Sequence, residues 1–210
     1  MVFDDTMVDT ATTSGGTGTK PKRQGGPWSV PNLLTYLRIL IIPLVVLCFD
    51  LEERGKSTDI ARWSALGLFI FASITDFFDG YLARIWEQTS SLGRMLDPIA
   101  DKLLVAAILL LLAADGTIAG WSIWAAIVIF SREFLVSGLR EYLAELKVSV
   151  PVTKLAKWKT TLQMVAIGFL LAGPAGEAIF PYTVEVGIVL LWIAAGVTLI
   201  TGYDYFRSGL

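Results

Sequence analysis

Residues 76–84 read Asp76-Phe77-Phe78-Asp79-Gly80-Tyr81-Leu82-Ala83-Arg84, and residues 93–101 read Gly93-Arg94-Met95-Leu96-Asp97-Pro98-Ile99-Ala100-Asp101. Together they set four carboxylates, two glycines and an alanine at helical spacing in strongly apolar sequence. At about 100° of turn per residue, Asp76, Asp79, Gly80 and Ala83 share one face of a helix. Gly93, Asp97 and Asp101 share one face of the next. Between them, Ile85 to Leu92 includes polar Glu87, Gln88, Thr89, Ser90 and Ser91, with Arg84 as the hinge to the first helix. An antiparallel pair joined in this way gathers the four aspartates, and their mutual repulsion calls for a cation.

The ligands type that cation. The chain has no His, and its one Cys, Cys48, lies far from the acids in sequence. An all-oxygen donor set suits Mg²⁺ or Mn²⁺ rather than Zn²⁺ or copper. Four carboxylates exceed what a single Mg²⁺ usually takes from a protein, which points to two ions. The small residues on the same faces leave room for a bulky group against the backbone. Metal and small-residue platform together fit a nucleotide or diphosphate.

With 54% hydrophobic and 17% charged residues, the 210-residue chain is too apolar for an ordinary soluble domain and reads as one small polytopic membrane unit. Residues 1–26 are polar and rich in Thr and Gly, and read as a disordered tail. The ordered part, 27–210, opens at Pro27 with Trp28 suited to a membrane interface. Six spans follow: Leu33 to Phe49, Ala61 to Ala83, Met95 to Ala114, Ala119 to Leu139 with a polar extension to Leu146, Lys157 to Ala172, and Val184 to Ile200. Turns are expected at Asp115-Gly116-Thr117 and at Gly173-Pro174-Ala175-Gly176, and a break from Lys147 to Pro151. The expected fold is all-α and integral to the membrane, each span close to the roughly 20 residues that a bilayer requires.

An even number of spans puts both termini on one side. Of the 17 basic residues, only Arg54, Lys56 and Arg62 fall on the other. The positive-inside rule then places both termini, and the aspartates between the helices, on the cytoplasmic side.

A second constellation lies on that side. Residues 131–142 read Ser-Arg-Glu-Phe-Leu-Val-Ser-Gly-Leu-Arg-Glu-Tyr, with Arg132 and Arg140 about two turns apart and Glu133 and Glu141 beside them. Lys154, Lys157 and Lys159 follow at the entry to the fifth span. Such charges at a membrane helix's edge face a cavity or pair with each other, and Arg presents bidentate donors to phosphate. The glutamates read as orienting groups. Asn32, Thr35 and Arg38 sit where the first span meets the cytoplasm, fit either to hold substrate or to anchor the helix at the interface. Trp63, Trp121, Trp124 and Trp192 read as lipid-facing or interfacial residues, not as cofactor contacts.

The spacing from Asp76 to Asp101 resembles that of the CDP-alcohol phosphatidyltransferases, integral membrane enzymes that build phospholipid head-group linkages, and matches it at all eight positions. The Arg132–Glu141 stretch, the run Lys157-Trp158-Lys159-Thr160-Thr161-Leu162-Gln163-Met164 and the opening Pro31-Asn32-Leu33-Leu34-Thr35 with Arg38 and Pro43 are similar to the family's bacterial branch that makes phosphatidylglycerophosphate. The resemblance covers roughly residues 28 to 205.

It implies CDP-diacylglycerol as donor, sn-glycerol 3-phosphate as acceptor, a homodimer in the bacterial inner membrane and no nucleic-acid partner. Asp76, Asp79, Asp97 and Asp101 then hold the metal, with Asp101 the general base. Asp76, Asp79, Gly80, Ala83, Arg84, Gly93 and Asn32 receive the CDP moiety. Arg132, Arg140 and Lys157, with Thr35 and Arg38, bind the acceptor phosphate. The alternatives are a relative that uses inositol phosphate, serine or phosphatidylglycerol as acceptor and, from another class, a divalent-cation transporter. A transporter expects carboxylates near mid-membrane or along a path, whereas these crowd one end.

Overall fold

The structure, a computed structural model, describes residues 30–53, 55, 58–86, 91–146 and 154–209. The side chains of Asp79, Gly80, Ala83, Arg84 and Lys157 lie outside that description, as do the tail at 1–26 and the break at 147–151. The described residues form six helices and no strand: α1 (Val30–Glu53), α2 (Thr58–Trp86), α3 (Ser91–Ala114), α4 (Ser122–Glu145), α5 (Lys154–Glu177) and α6 (Thr183–Gly209).

The distribution of polarity is that of a membrane protein. Asn32, Thr35, Arg38, Arg62, Lys159, Gln163, Thr198 and Thr201 are buried, while Leu40, Leu110, Leu135 and Val189 are more than half exposed. A lipid-facing exterior accepts those apolar side chains, and polar groups move inward because nothing in hydrocarbon can pair with them. Asn32–Glu53, Ser122–Glu145 and Thr183–Tyr205 are the described segments long and apolar enough to cross a membrane by length and composition. In α3, Asp97, Asp101 and Lys102 interrupt the apolar run.

Periodicity explains the packing. On α1, Asn32, Thr35, Arg38, Ile41, Val45 and Phe49 recur at three- and four-residue intervals and are all buried. Leu33, Leu40, Leu44 and Leu47, between them, face outward. This buried stripe is polar for its first two turns and apolar thereafter. Helix α1 packs against α2 and α3, α2 against α5, and α6 against α4 and α5. The dry centre is built from Ile108, Leu112, Ile129, Ile167, Leu170 and Leu191, each fully buried. Gly187 makes the α5–α6 contact possible: a Cβ there would stand 2.8 Å from Leu170 Cγ.

The helices exceed the spans read from sequence, because capping turns and polar extensions continue the backbone pattern beyond the apolar runs. Arg84, the expected hinge, lies within α2, which runs on to Trp86. The Asp115–Thr117 turn forms as expected, with the Thr117 amide donating to Asp115 Oδ1 at 2.9 Å. The expected turn at Gly173–Gly176 is instead a kink inside α5. Gly173 adopts φ 49°, ψ −139°, and the helix then resumes to Glu177. Pro174 lacks an amide hydrogen but suits the first turn of a resumed helix, so the Gly-Pro pair bends the helix without ending it. The chain turns between Glu177 and Thr183, where Tyr182 has φ 70°.

Candidate active site

The polar half of the α1 stripe faces the aspartates. Arg38 Nη2 lies 2.8 Å from Asp76 Oδ1 on α2, and the arginine side chain is 1% exposed against 45% for the acid. A buried guanidinium needs a counter-charge, and Asp76 supplies it while keeping its outer side open. One turn earlier on α1, the Thr35 hydroxyl donates to Asp97 Oδ1 on α3. Asn32 and Gly93 are buried in the same region of the chain's fold, one turn before Thr35 and Asp97 respectively. Asp101 follows Asp97 by one turn and lies within electrostatic reach of Asp76, Arg38, Lys102 and Glu133. Helix α1 therefore sets two of the acids through named contacts, an arrangement that helical spacing on α2 and α3 alone does not reveal.

The structure thus brings Asp76 and Asp101 within each other's field and ties Asp97 to the same α1 face. Among the described residues no three His, Cys, Asp or Glu side chains form a ready ligand group. The fourth acid, Asp79, stands on the helical backbone of α2 with its side chain outside the described residues. The donor chemistry is all carboxylate, with Asp76 open to the outside, and this fits an oxygen-preferring divalent cation.

Glu133 on α4 is the hub of the second constellation. It pairs with Lys159 on α5, and Arg132 Nη1 lies 3.4 Å from its Oε1. Arg132 Nη2 donates to Thr201 Oγ1 on α6 at 3.0 Å, and its guanidinium carbon stands 6.0 Å from the Tyr205 ring centroid. The Thr201 hydroxyl spends its own proton on Val197 O at 3.0 Å, leaving a lone pair for the arginine. Gly202 gives that side chain room, since a Cβ there would sit 3.2 Å from Arg132 Cγ. Arg140, two turns on, is exposed. The two arginines therefore have different surroundings: Arg132 is braced against α6 and Arg140 stands at the surface.

Lys159 is within electrostatic reach of Arg132 and Asp101 as well as Glu133, so the two constellations form one polar interior across α1, α3, α4 and α5. Sequence reading grouped Lys159 with its neighbours and passed over its role, along with Thr201 and Tyr205. A signal was present: Lys159, Gln163, Ala166, Ile167 and Leu170 follow the three- and four-residue rhythm of a buried face. Nothing local marks Thr201 and Tyr205, which sit far along the chain from Arg132.

From Asp76 a cavity of about 850 Å³ extends between α2 and α5. Ser73, Thr160 and Thr161 line it beside the acid, then Phe69, Met164 and Gly168. The helices are antiparallel here, with Leu66 against Gly168 and Asp76 level with the Thr160–Thr161 turn. A charged mouth and an apolar body meet at one residue.

A family model described as CDP-alcohol phosphatidyltransferase matches residues 28–200. The chain belongs to this family. It is therefore a transferase by kinship, and divalent-metal dependence is general in the family. Among its relatives, a protein of Rickettsia felis is 47% identical over 180 residues, covering 86% of this chain and 94% of the relative. One of Cereibacter sphaeroides is 44% identical, covering 87% and 96%, and one of Pseudomonas fluorescens is 42% identical, covering 86% and 89%. All three bear the name CDP-diacylglycerol–glycerol-3-phosphate 3-phosphatidyltransferase.

Proposed function

We propose that the protein transfers the phosphatidyl group of CDP-diacylglycerol to sn-glycerol 3-phosphate, giving phosphatidylglycerophosphate and CMP. One observation carries the reading beyond the relatives' names: the carboxylate cluster opens at Asp76 directly into the apolar cavity between α2 and α5. A lipid diphosphate needs both surfaces side by side. Its charged head meets the aspartates while an acyl chain enters the cavity.

In the reaction, the acceptor's primary hydroxyl attacks the phosphorus that carries diacylglycerol. A new P–O bond forms, the P–O bond to CMP breaks, and CMP leaves with the bridging oxygen. Asp101 takes the hydroxyl proton. Asp76, Asp79, Asp97 and Asp101 would hold Mg²⁺ or Mn²⁺, two ions by the donor count, which neutralise the diphosphate's charge. Arg38 and Thr35 keep Asp76 and Asp97 in position and stand beside the phosphates. Gly80, Ala83 and Gly93 admit the cytidine nucleotide, with Asn32 and Arg84 at its edge. Arg132, Arg140 and Lys157 receive the acceptor phosphate, and Glu133 braces Arg132 and Lys159. Positioning supplies much of the rate, since a carboxylate is a weak base near neutral pH.

We read all six helices as membrane-spanning in the bacterial inner membrane, with residues 27–210 as one domain, both termini and the site cytoplasmic, and a homodimer as the assembly. The charge distribution about Arg54, Lys56 and Arg62 supports that orientation.

The test is CMP release by the purified protein from CDP-diacylglycerol, with Mg²⁺ or Mn²⁺, across a panel of acceptors. Release that requires glycerol 3-phosphate is expected. Release driven by inositol phosphate, serine or phosphatidylglycerol would retain the aspartate chemistry and overturn the acceptor assignment. No release with any acceptor would overturn the enzyme reading in favour of an ion site.

A further inference from the structure

At the end of the bundle away from the aspartates, four elements converge on one side chain. Arg62 on α2 is 4% exposed. Its Nε lies 2.6 Å from Glu52 Oε2 on α1, its Nη2 pairs with Asp115 in the α3–α4 connection, and its Nη1 donates to Thr117 Oγ1 at 3.4 Å. The guanidinium carbon stands 4.8 Å from the centroid of the Phe49 ring. The fourth element is α5: a Cβ on Gly173 would lie 3.0 Å from Arg62 Nη1, so backbone and guanidinium meet where the helix kinks. Gly173 has φ 49°, a conformation that L side chains rarely adopt.

The site already described makes no use of Arg62, but its cavity reaches the kink beside it. Trp63, the next residue on α2, lines the far end of the cavity, together with Ala172 and Gly176, which flank the kink on α5, and Ile179, Phe180 and Thr183, which follow it. From Trp63 to Asp76 the α2 axis rises about 20 Å at ~1.5 Å per residue. A cavity of that length that starts at the diphosphate's partner fits one extended fatty acyl chain of the donor. A short chain ends beside Gly168 and never meets the kink; a long one reaches it.

Resting on the donor assignment above, we propose that Arg62 is a positioning residue for acyl-chain selection. It fixes the kink of α5 at Gly173 and so sets where Ile179, Phe180 and Thr183, the end wall of the donor's acyl-chain cavity beyond the kink, stand. It touches neither substrate head group nor reacting atoms. Glu52, Asp115 and Phe49 orient the guanidinium, and the guanidinium holds the backbone that shapes the wall.

The experiment measures kcat/KM for dioctanoyl and dipalmitoyl CDP-diacylglycerol, and KM for glycerol 3-phosphate, in the full chain and in Arg62→Met. The expected result is a fall of about tenfold for the dipalmitoyl donor, the scale that one methylene's fit in an apolar pocket is worth. The dioctanoyl value and the acceptor KM stay within about twofold, since neither ligand reaches the wall. A merely structural role lowers both donors equally, in step with the amount of folded protein, and that outcome or an unchanged pair of values overturns the proposal. If Arg62→Met does not fold, Gly173→Ala decides. Its methyl presses on the guanidinium from the α5 side and should give the same selective loss; equal values for the two donors there overturn the proposal. Wild-type activity with each donor is read first, so failure of the donor assignment itself, seen as no CMP release from either, is separate from failure of the wall.

Discussion

Two buried arginines mark the two ends of the bundle, and they keep opposite company. Arg38, 1% exposed, pairs with Asp76, an acid whose side chain is 45% exposed. Arg62, 4% exposed, pairs with Glu52 and Asp115, which are 16% and 19% exposed, and adds Thr117 and Phe49. At the Arg62 end each named acid is drawn onto the cation. At the Arg38 end Asp76 keeps one side open, Asp97 is held by a hydroxyl, and Asp101 lies in the field of Asp76 as well as of Arg38 and Lys102. One end is closed on itself; the other leaves a carboxylate open to a ligand. Openness distinguishes a clasp from a site, although each presents the same buried ion pair.

Asp101→Asn is the sharpest way to break that comparison. Removing a general base costs typically 10²–10⁴-fold in rate, and a loss of that order in CMP release is expected. Because the substitution also removes one of several like charges, the folded protein should not weaken. In chelator its melting temperature should equal or exceed that of the wild type. Near-normal turnover would show that Asp101 is not the base. A large fall in melting temperature would show that the acids stabilise the fold, as those at the other end do.

The Arg62 end should respond in the opposite sense. Arg62→Met leaves Glu52 and Asp115 without their cation, and breaking a buried pair in this way costs about 3–5 kcal/mol. For a chain of this size each ~1 kcal/mol shifts the melting temperature by about 2–4 °C, so a drop of roughly 10 °C is expected. Turnover of the short-chain donor per folded molecule should persist. A variant that melts normally would mean that the α1, α2 and α5 contacts hold this end without the guanidinium.

The difference between the ends also explains what the sequence could disclose. The Asp76–Asp101 spacing was legible because its partners lie within two helices joined by a short connection, where helical period alone aligns them. The six apolar runs were legible for the same local reason. The Arg38–Asp76 and Thr35–Asp97 contacts depend on how α1 is rotated against α2 and α3, which no local pattern fixes. Lys159 carried a signal in its spacing to Gln163 and Ile167, which stands out only once the buried face of α5 is known. Gly173-Pro174 misled in a different way. The pair has the composition of a turn and Gly173 does leave helical geometry, but the helix resumes after it and runs on to Glu177.

Arg140 gives the smallest effect and the finest resolution. It is exposed, whereas Arg132 is braced by Glu133, Thr201 and Tyr205, so the two arginines of the acceptor side differ in preorganisation. A flexible surface cation contributes about 1 kcal/mol or less through a single contact. Arg140→Ala should therefore raise the KM for glycerol 3-phosphate about fivefold, leave the KM for CDP-diacylglycerol unchanged and spare the melting temperature. Equal rises for donor and acceptor would place Arg140 outside the acceptor's reach. A much larger rise for the acceptor alone would mean that substrate draws Arg140 inward, so that the exposed arginine becomes as ordered in the complex as Arg132 is without it.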